Sequence, residues 1–271
     1  MTAPPKSRKS KTLTQASPKK KMIKRPRPDV SYEREVGFEL RIVAGVDEVG
    51  RGCLAGPVVA AAVILPKDPA LYDKRKVSWL KKVTDSKLVD SDTRAELAPL
   101  IKAWARGWSV GQADVAEIDR INIHHASHLA MVRAITTLQH SAEHILVDGK
   151  FIPKDLPCPS TAIIKGDQKS LSIACASILA KVHRDEMMRA YDATYPGYSF
   201  GVHKGYGTPM HARAIQSLGI CDIHRRSFAP VAQVVAALLQ MDLPLAPRSS
   251  ESPNFDDFED EALAVTEDEE E

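Results

Sequence analysis

No stretch of the 271-residue chain approaches the roughly 18 consecutive apolar residues that a membrane-crossing helix needs, so no span is expected. Residues 1–28 also lack the apolar centre of a secretory signal, and the protein is read as soluble and cytoplasmic. Cysteine is scarce: Cys53, Cys158, Cys175 and Cys221 are scattered with no CxxC pair. That excludes a zinc ribbon and a disulfide scaffold, and leaves them as small buried hydrophobes of a reducing compartment. No internal repeat is visible.

Each end of the chain lacks charge of one sign. Residues 1–28 carry ten Lys or Arg and no acid, whereas 249–271 carry eleven Asp or Glu and no base. Removing both from the totals of 37 and 35 leaves 27 basic and 24 acidic residues, so the net charge of +2 hides a nearly balanced body. Both ends are poor in large apolar residues and cannot offset the entropy of ordering. The organisation expected is a disordered basic tail over 1–38, one folded domain over 39–245 and a disordered acidic tail over 246–271. The basic tail reads equally as a solubilising segment or as an arm for polyanions.

What is present centres on residues 42–56. An apolar run (Ile42, Val43, Val46) ends in adjacent carboxylates, Asp47 and Glu48, and a glycine-flanked arginine follows in Gly50-Arg51-Gly52. Consecutive strand residues face opposite sides, so both acids reach one site only by leaving the regular pleat. The unbroken apolar run over 57–65 suits a second, fully buried strand, and the short link favours an antiparallel neighbour. A helix is expected from about 90 to 104, capped by Asp85 or Ser86, then a third strand over 104–111. Helices over 113–120 and 123–140 precede two strands, 144–147 and 161–165, which run into Asp148-Gly149 and Gly166-Asp167. A long helix over 170–191, a loop over 200–206 and helices over 208–218 and 230–241 complete the chain. The pattern is a single α/β domain with a mixed sheet flanked by helices and a C-terminal helical region.

Asp47, Glu48, Asp148 and Asp167 thus gather at expected strand ends, with no Cys or His at ligand spacing beside them. Hard oxygen donors suit Mg²⁺ or Mn²⁺. Two such ions, about 4 Å apart, serve phosphodiester hydrolysis. Any single Asp-Gly is also an ordinary turn. Ser170, Lys181 and Arg184 fall near one side of the long helix, and with Lys87 they are candidate substrate contacts, or equally a solvated face. Tyr206 could stack on a sugar or base. His124, His125 and His128 share helical spacing but lack further ligands, and are read as core or surface.

Seven ordered motifs then identify a resemblance. They are Gly45-Val-Asp-Glu-Val-Gly-Arg-Gly52, Asp85-Ser-Lys-Leu88, Val147-Asp-Gly149, Lys165-Gly-Asp167, the helix from Ser172 to Asp185, His203-Lys-Gly-Tyr206 and His224-Arg-Arg-Ser-Phe228. The chain resembles the bacterial type 2 ribonucleases H, the ribonuclease HII family. The resemblance implies a ribonuclease H-like fold that cleaves the RNA strand of RNA/DNA hybrids and nicks 5′ of a ribonucleotide embedded in duplex DNA. It implies Asp47, Glu48, Asp148 and Asp167 as catalytic, metal-binding acids, with Asp185 a competing fourth. It also implies ribose recognition by the backbone of Gly50, Arg51 and Gly52, stacking of Tyr206 on the following deoxyribose, and action as a monomer. Ribonuclease HIII carries a substantial N-terminal domain, whereas only the short basic tail is expected before these motifs here.

Overall fold

The computed structural model describes residues 27–72 and 77–241. Its centre is a five-stranded sheet of β1 (Val43–Val49), β2 (Val58–Ile64), β3 (Gly107–Ala113), β4 (His144–Asp148) and β5 (Ser160–Ile163), in the order β3-β2-β1-β4-β5. β1 to β3 form an antiparallel meander, while β4 and β5 run parallel to β1. Every residue of β2 is buried, as its unbroken apolar sequence requires, whereas the edge strand β3 alternates buried with more exposed positions.

Two long helices cover the faces. α3 (Val115–Thr136) packs Ala126, Ala130 and Ala134 against Ala44, Val46, Ala60 and Ala62. α4 (Leu171–Thr194) packs Ile173, Ala176 and Ala180 against Val43, Ala61 and Val63. Small residues on both sides let the layers close up: a Cβ on Gly45 would lie 2.5 Å from the Ile173 nitrogen. The start of α4 is thereby pressed onto the strand that carries Asp47. The short α5 (Phe200–His203), α6 (Pro209–Leu218) and α7 (Ala229–Met241) follow at the carboxyl side.

Several local expectations change. The helix α2 (Ser91–Trp104) is capped by Asp90, which accepts from the Thr93 N–H at 2.9 Å, and not by Asp85 or Ser86. Asp85 instead caps its own 3₁₀ turn, Ser86–Leu88, accepting from the Lys87 N–H at 2.9 Å. The two expected helices around residue 121 are joined as α3 with a break at Asn122, whose φ is +63°. Its side chain accepts from the His125 N–H and restarts the helix. The expected loop at 200–206 begins with the single turn α5. β5 stops at Ile163, so Asp167 sits in the 3₁₀ turn Gly166–Gln168 and not at a strand end.

The folded body also begins earlier than residue 39. α1 (Ser31–Glu35) buries Glu33 completely, and its Oε1 accepts from the Ser170 hydroxyl, the Ser172 N–H and the Ser172 hydroxyl at 2.6, 2.8 and 2.7 Å. Val30 and Phe38 anchor the segment apolarly, and an acid at the amino end of α4 is favoured by the helix dipole. Residues 29–38 therefore belong to the domain, contrary to the tail boundary at 38. Residues 1–26 of the expected basic tail, and the whole acidic tail expected over 246–271, lie outside the described residues. Among the described residues no helix is long and apolar enough to cross a membrane.

Candidate active site at the strand ends

β1 outruns β4: their pairing ends at Val46 opposite Val147, and Asp148 closes the shorter strand. Asp47 and Glu48 stay in regular register with Ala61 and Ala60 of β2, so the pair does not leave the pleat as expected. The alternation instead sends Asp47 to the α4 face, where Ser177 hydrogen-bonds it, and Glu48 to the α3 face, where Arg51 reaches its Oε1 at 3.4 Å. The cleft wraps around the strand end. Asp148 accepts from the Gly166 N–H at 2.6 Å, which ties the turn bearing Asp167 to β4.

The four carboxylates feel one another's charge. Burial pushes Asp47 well above the usual carboxylate range, and Asp148, Glu48 and Asp167 push it further. Burial raises Glu48 too, opposed by Arg51. Asp148 is raised by burial against its backbone N–H donors. Asp167 is pushed up to about 7 by burial, then by Asp148 and Asp85. Asp85, expected only as a cap, is the acid that sequence reasoning missed here; the Asp85-Ser-Lys-Leu88 motif was its signal. Among the described residues no three His, Cys, Asp or Glu side chains are already drawn together to hold an ion. The donor set nevertheless fits one: it is all hard oxygen, and a cation would relieve the repulsion that burial intensifies.

Beside the acids lies the Gly50-Arg51-Gly52 turn. Gly50 has φ +94° and packs on the Arg184 guanidinium, with a Cβ there falling 2.2 Å from Nε. Gly52 is exposed, lies outside the left-handed region and would place a Cβ within 4 Å of nothing. The chain then forms bridges from Cys53 to Tyr206 and from Ala55 to His224, which set the Tyr206 turn along the same rim. Tyr206 is 38% exposed; burial of its hydroxyl and the neighbouring Cys53 push it up to about 12.

Three histidines hold that turn. The Cys221 N–H donates to His224 Nδ1 at 2.9 Å, so the His224 proton is on Nε2, 3.1 Å from His211 Nε2. His211 must accept there, and its own proton on Nδ1 is donated to the Tyr206 carbonyl at 2.9 Å. His203 accepts from the Gly205 N–H at 3.1 Å and donates to the Tyr198 carbonyl. Burial lowers all three, His211 to about 3 and His224 to about 4, so the chain of fixed tautomers stays neutral at physiological pH. The His203 and His224 motifs were visible in the sequence without this role; His211 gave no local signal.

The expected substrate contacts divide. Lys87 is exposed and its charge opposes the rise at Asp148 and Asp167. Lys181 binds Asp185 at 2.9 Å and lies 5.6 Å from the centre of the Tyr206 ring. Ser170 and Arg184 are corrected. Ser170 is fully buried, caps α4 and bonds Glu33. Arg184 is fully buried and donates to the carbonyls of Pro57, Lys204 and Ala55 at 2.9, 2.8 and 3.0 Å, which leaves no face for phosphate. His124, His125 and His128 form a ring cluster with Phe151, and a small cavity beside Glu48 and Arg51 is lined by His124, His128 and Phe151.

The strand order and the acidic cleft at the strand ends define a class, the nucleases of ribonuclease H-like fold. The ribonuclease H2 of Pyrococcus horikoshii OT3 superposes with a TM-score of 0.60 at 23% identity, over 73% of this chain and 99% of that one. A ribonuclease HIII designated Bst, solved in complex with Mn²⁺, gives 0.54 at 21% identity over 73% and 70%. At these identities the likeness concerns the fold. The sequence carries the rest: a profile of Ribonuclease HII matches residues 44–231, and the Ribonuclease HII of Nitrosococcus oceani is 52% identical over 196 residues, 72% of this chain and 92% of the relative. The chain belongs to the ribonuclease HII family, and its activity is that of a ribonuclease H, a nuclease acting on RNA/DNA hybrids.

Proposed function

We propose that this enzyme cuts the RNA strand of hybrids and also nicks duplex DNA 5′ of a single embedded ribonucleotide, by two-metal-ion hydrolysis that leaves 5′-phosphate and 3′-hydroxyl ends. The observation that carries the reading is the shared rim: the acidic cleft, the glycine-arginine-glycine turn and Tyr206 are joined through the Cys53 bridge. Asp47, Glu48, Asp148 and Asp167 would hold Mg²⁺ or Mn²⁺, in keeping with the all-oxygen donor set. Divalent ions held there would supply Lewis-acid stabilisation of the charge that develops in phosphodiester hydrolysis.

The chain's own groups provide selection and aim. Arg51 favours the ionised form of Glu48. The N–H groups of the turn offer donors to a ribose 2′-hydroxyl, the one group that separates RNA from DNA at a single sugar. Tyr206 presents its ring to the next sugar, steadied by Lys181. Lys87 faces the incoming phosphate. Action as a monomer in the cytoplasm completes the proposal.

The test is a labelled DNA duplex with one ribonucleotide, incubated with and without Mg²⁺ or Mn²⁺. One metal-dependent nick immediately 5′ of the ribonucleotide is expected, with the all-DNA duplex intact. Cutting elsewhere, or of both duplexes alike, would remove the reading.

A further inference from the structure

Arg225 is fully buried, and all three of its guanidinium nitrogens are spent on main-chain carbonyls. Nη2 donates to the Gly50 carbonyl at 2.6 Å, Nη1 to the Arg51 carbonyl at 2.7 Å, and Nε to the Gly56 carbonyl at 2.9 Å. Its Cζ lies 5.1 Å from the centre of the Phe228 ring. Burial lowers it only to about 10, so it is a cation at neutral pH. Taking a full charge out of water is expensive, and nothing in the core requires it here. Two of the three carbonyls, those of Gly50 and Arg51, belong to the turn beside the acids.

Peptide geometry gives this arrangement a consequence. In a planar trans peptide the C=O and the following N–H point in opposite directions. Drawing the Gly50 carbonyl inward turns the Arg51 N–H outward, and drawing the Arg51 carbonyl inward does the same for the Gly52 N–H. Outside Gly52 the surface is open. The cation behind both carbonyls also polarises these two peptide units, which strengthens their outward donors. Only arginine has a rigid fork that can hold two successive carbonyls and a third beyond them; an ammonium is a point charge.

We infer that Arg225 is a positioning residue for sugar discrimination: it fixes the Arg51 and Gly52 N–H groups as an outward-facing pair that donates to the oxygen of a ribose 2′-hydroxyl, an inference that rests on the substrate reading above. Arg225 touches no substrate itself. Its effect passes through the turn, and it concerns the hydroxyl and not the phosphate backbone.

Binding is measured in the full chain carrying Asp47→Asn, so that nothing is cut, with a fluorescent DNA duplex containing one ribonucleotide and the same duplex in all-DNA form. Loss of one well-made hydrogen bond is worth about tenfold in affinity. Arg225→Met should therefore lower the ribo-to-deoxy preference by about tenfold or more, while all-DNA binding changes by less than about twofold. Arg225→Lys should fall between, since one donor can be restored. A parent that prefers the ribonucleotide duplex and variants that keep the preference would overturn the positioning role alone. A parent without preference would overturn the substrate reading and this inference with it. Should both variants fail to fold, ¹⁵N-labelled parent protein is titrated with the two duplexes. The Arg51 and Gly52 amide protons should then move only with the ribonucleotide duplex, the Arg225 Nε–H staying protected in both; unmoved amides, or a freely exchanging Nε–H, would overturn the inference.

Discussion

Gly52→Ala should make this enzyme slightly more stable and much less active. Gly52 lies outside the left-handed region, and a Cβ added there has no neighbour within 4 Å. With no strain to offset it, the narrower unfolded ensemble stabilises the fold by about 0.4–1 kcal/mol. For a domain of this size that raises Tm by about 1–4 °C. The added methyl, however, occupies the open side on which a sugar must approach the turn. A displacement of about 1 Å at a reacting group costs about 10²-fold, and that is the expected loss in kcat/KM on the single-ribonucleotide duplex. Gly50→Ala is the contrast. Its φ is +94° and its Cβ would fall 2.2 Å from Arg184 Nε, a buried guanidinium already committed to three carbonyls. Left-handed strain of about 1–2 kcal/mol and overpacking of about 1–3 kcal/mol should together lower stability by about 2–5 kcal/mol. Thermal melts and initial rates on purified proteins check both. A Gly52→Ala enzyme that cuts at the wild-type rate, or that melts below wild type, refutes the idea that this glycine is kept for something outside the protein.

Asp47→Asn should abolish turnover, by at least about 10²-fold, yet raise the Tm of the metal-free protein near neutral pH, because it removes the cost of burying an acid beside three others; a lower Tm would mean the carboxylate serves the fold. Asp167 titrates in the folded state at about 7 against an ordinary 3.8, so its protonated form favours folding. That contribution is full below about pH 4 and is lost as pH rises through about 7, with a slope of at most about 1.4 kcal/mol per pH unit. Metal-free protein should therefore gain Tm from this group on acidification from pH 8 to pH 5, and saturating Mg²⁺ should flatten the profile; equal profiles would deny ion binding. Glu33→Ala should cost about 2–3 kcal/mol, since three buried donors lose their acceptor while the cost of burying the carboxyl is removed, and denaturant melts measure it.

How much of this was legible beforehand depended on the range of the interactions. β2 announced itself because a strand buried on both faces must be apolar throughout, and the acids were visible because strand ends and glycines mark turns. The alternation of Asp47 and Glu48 was also visible, but its resolution was not. That needed β4 to stop one residue past Val147, so that a cleft could take acids from both faces. Ser170 and Arg184 were misplaced for a related reason. Helical spacing says which side chains share a face but not what covers it, and here α1 covers Ser170 while the segment 55–57 covers Arg184. Glu33, 137 residues from Ser170 along the chain, had no local pattern at all.

Charge in this molecule is partitioned so that the acids of the cleft are left without full neutralisation by the protein. Arg184 and Arg225 are buried cations, but their guanidinium nitrogens go to six main-chain carbonyls. Had either been turned toward Asp47 or Asp148, an internal ion pair would compete with any external cation. Asp185 shows the alternative. Lys181 holds its Oδ1 at 2.9 Å and Arg94 lies 3.7 Å from its Oδ2, so its charge is answered within the fold. Asp167 has no such partner strong enough to keep it in the ordinary range; Lys87 only moderates the rise that burial, Asp148 and Asp85 impose. Of the two acids that compete for the fourth place, the one left electrostatically unsatisfied is the one a divalent ion would gain most by binding, and on this ground Asp167 is favoured over Asp185.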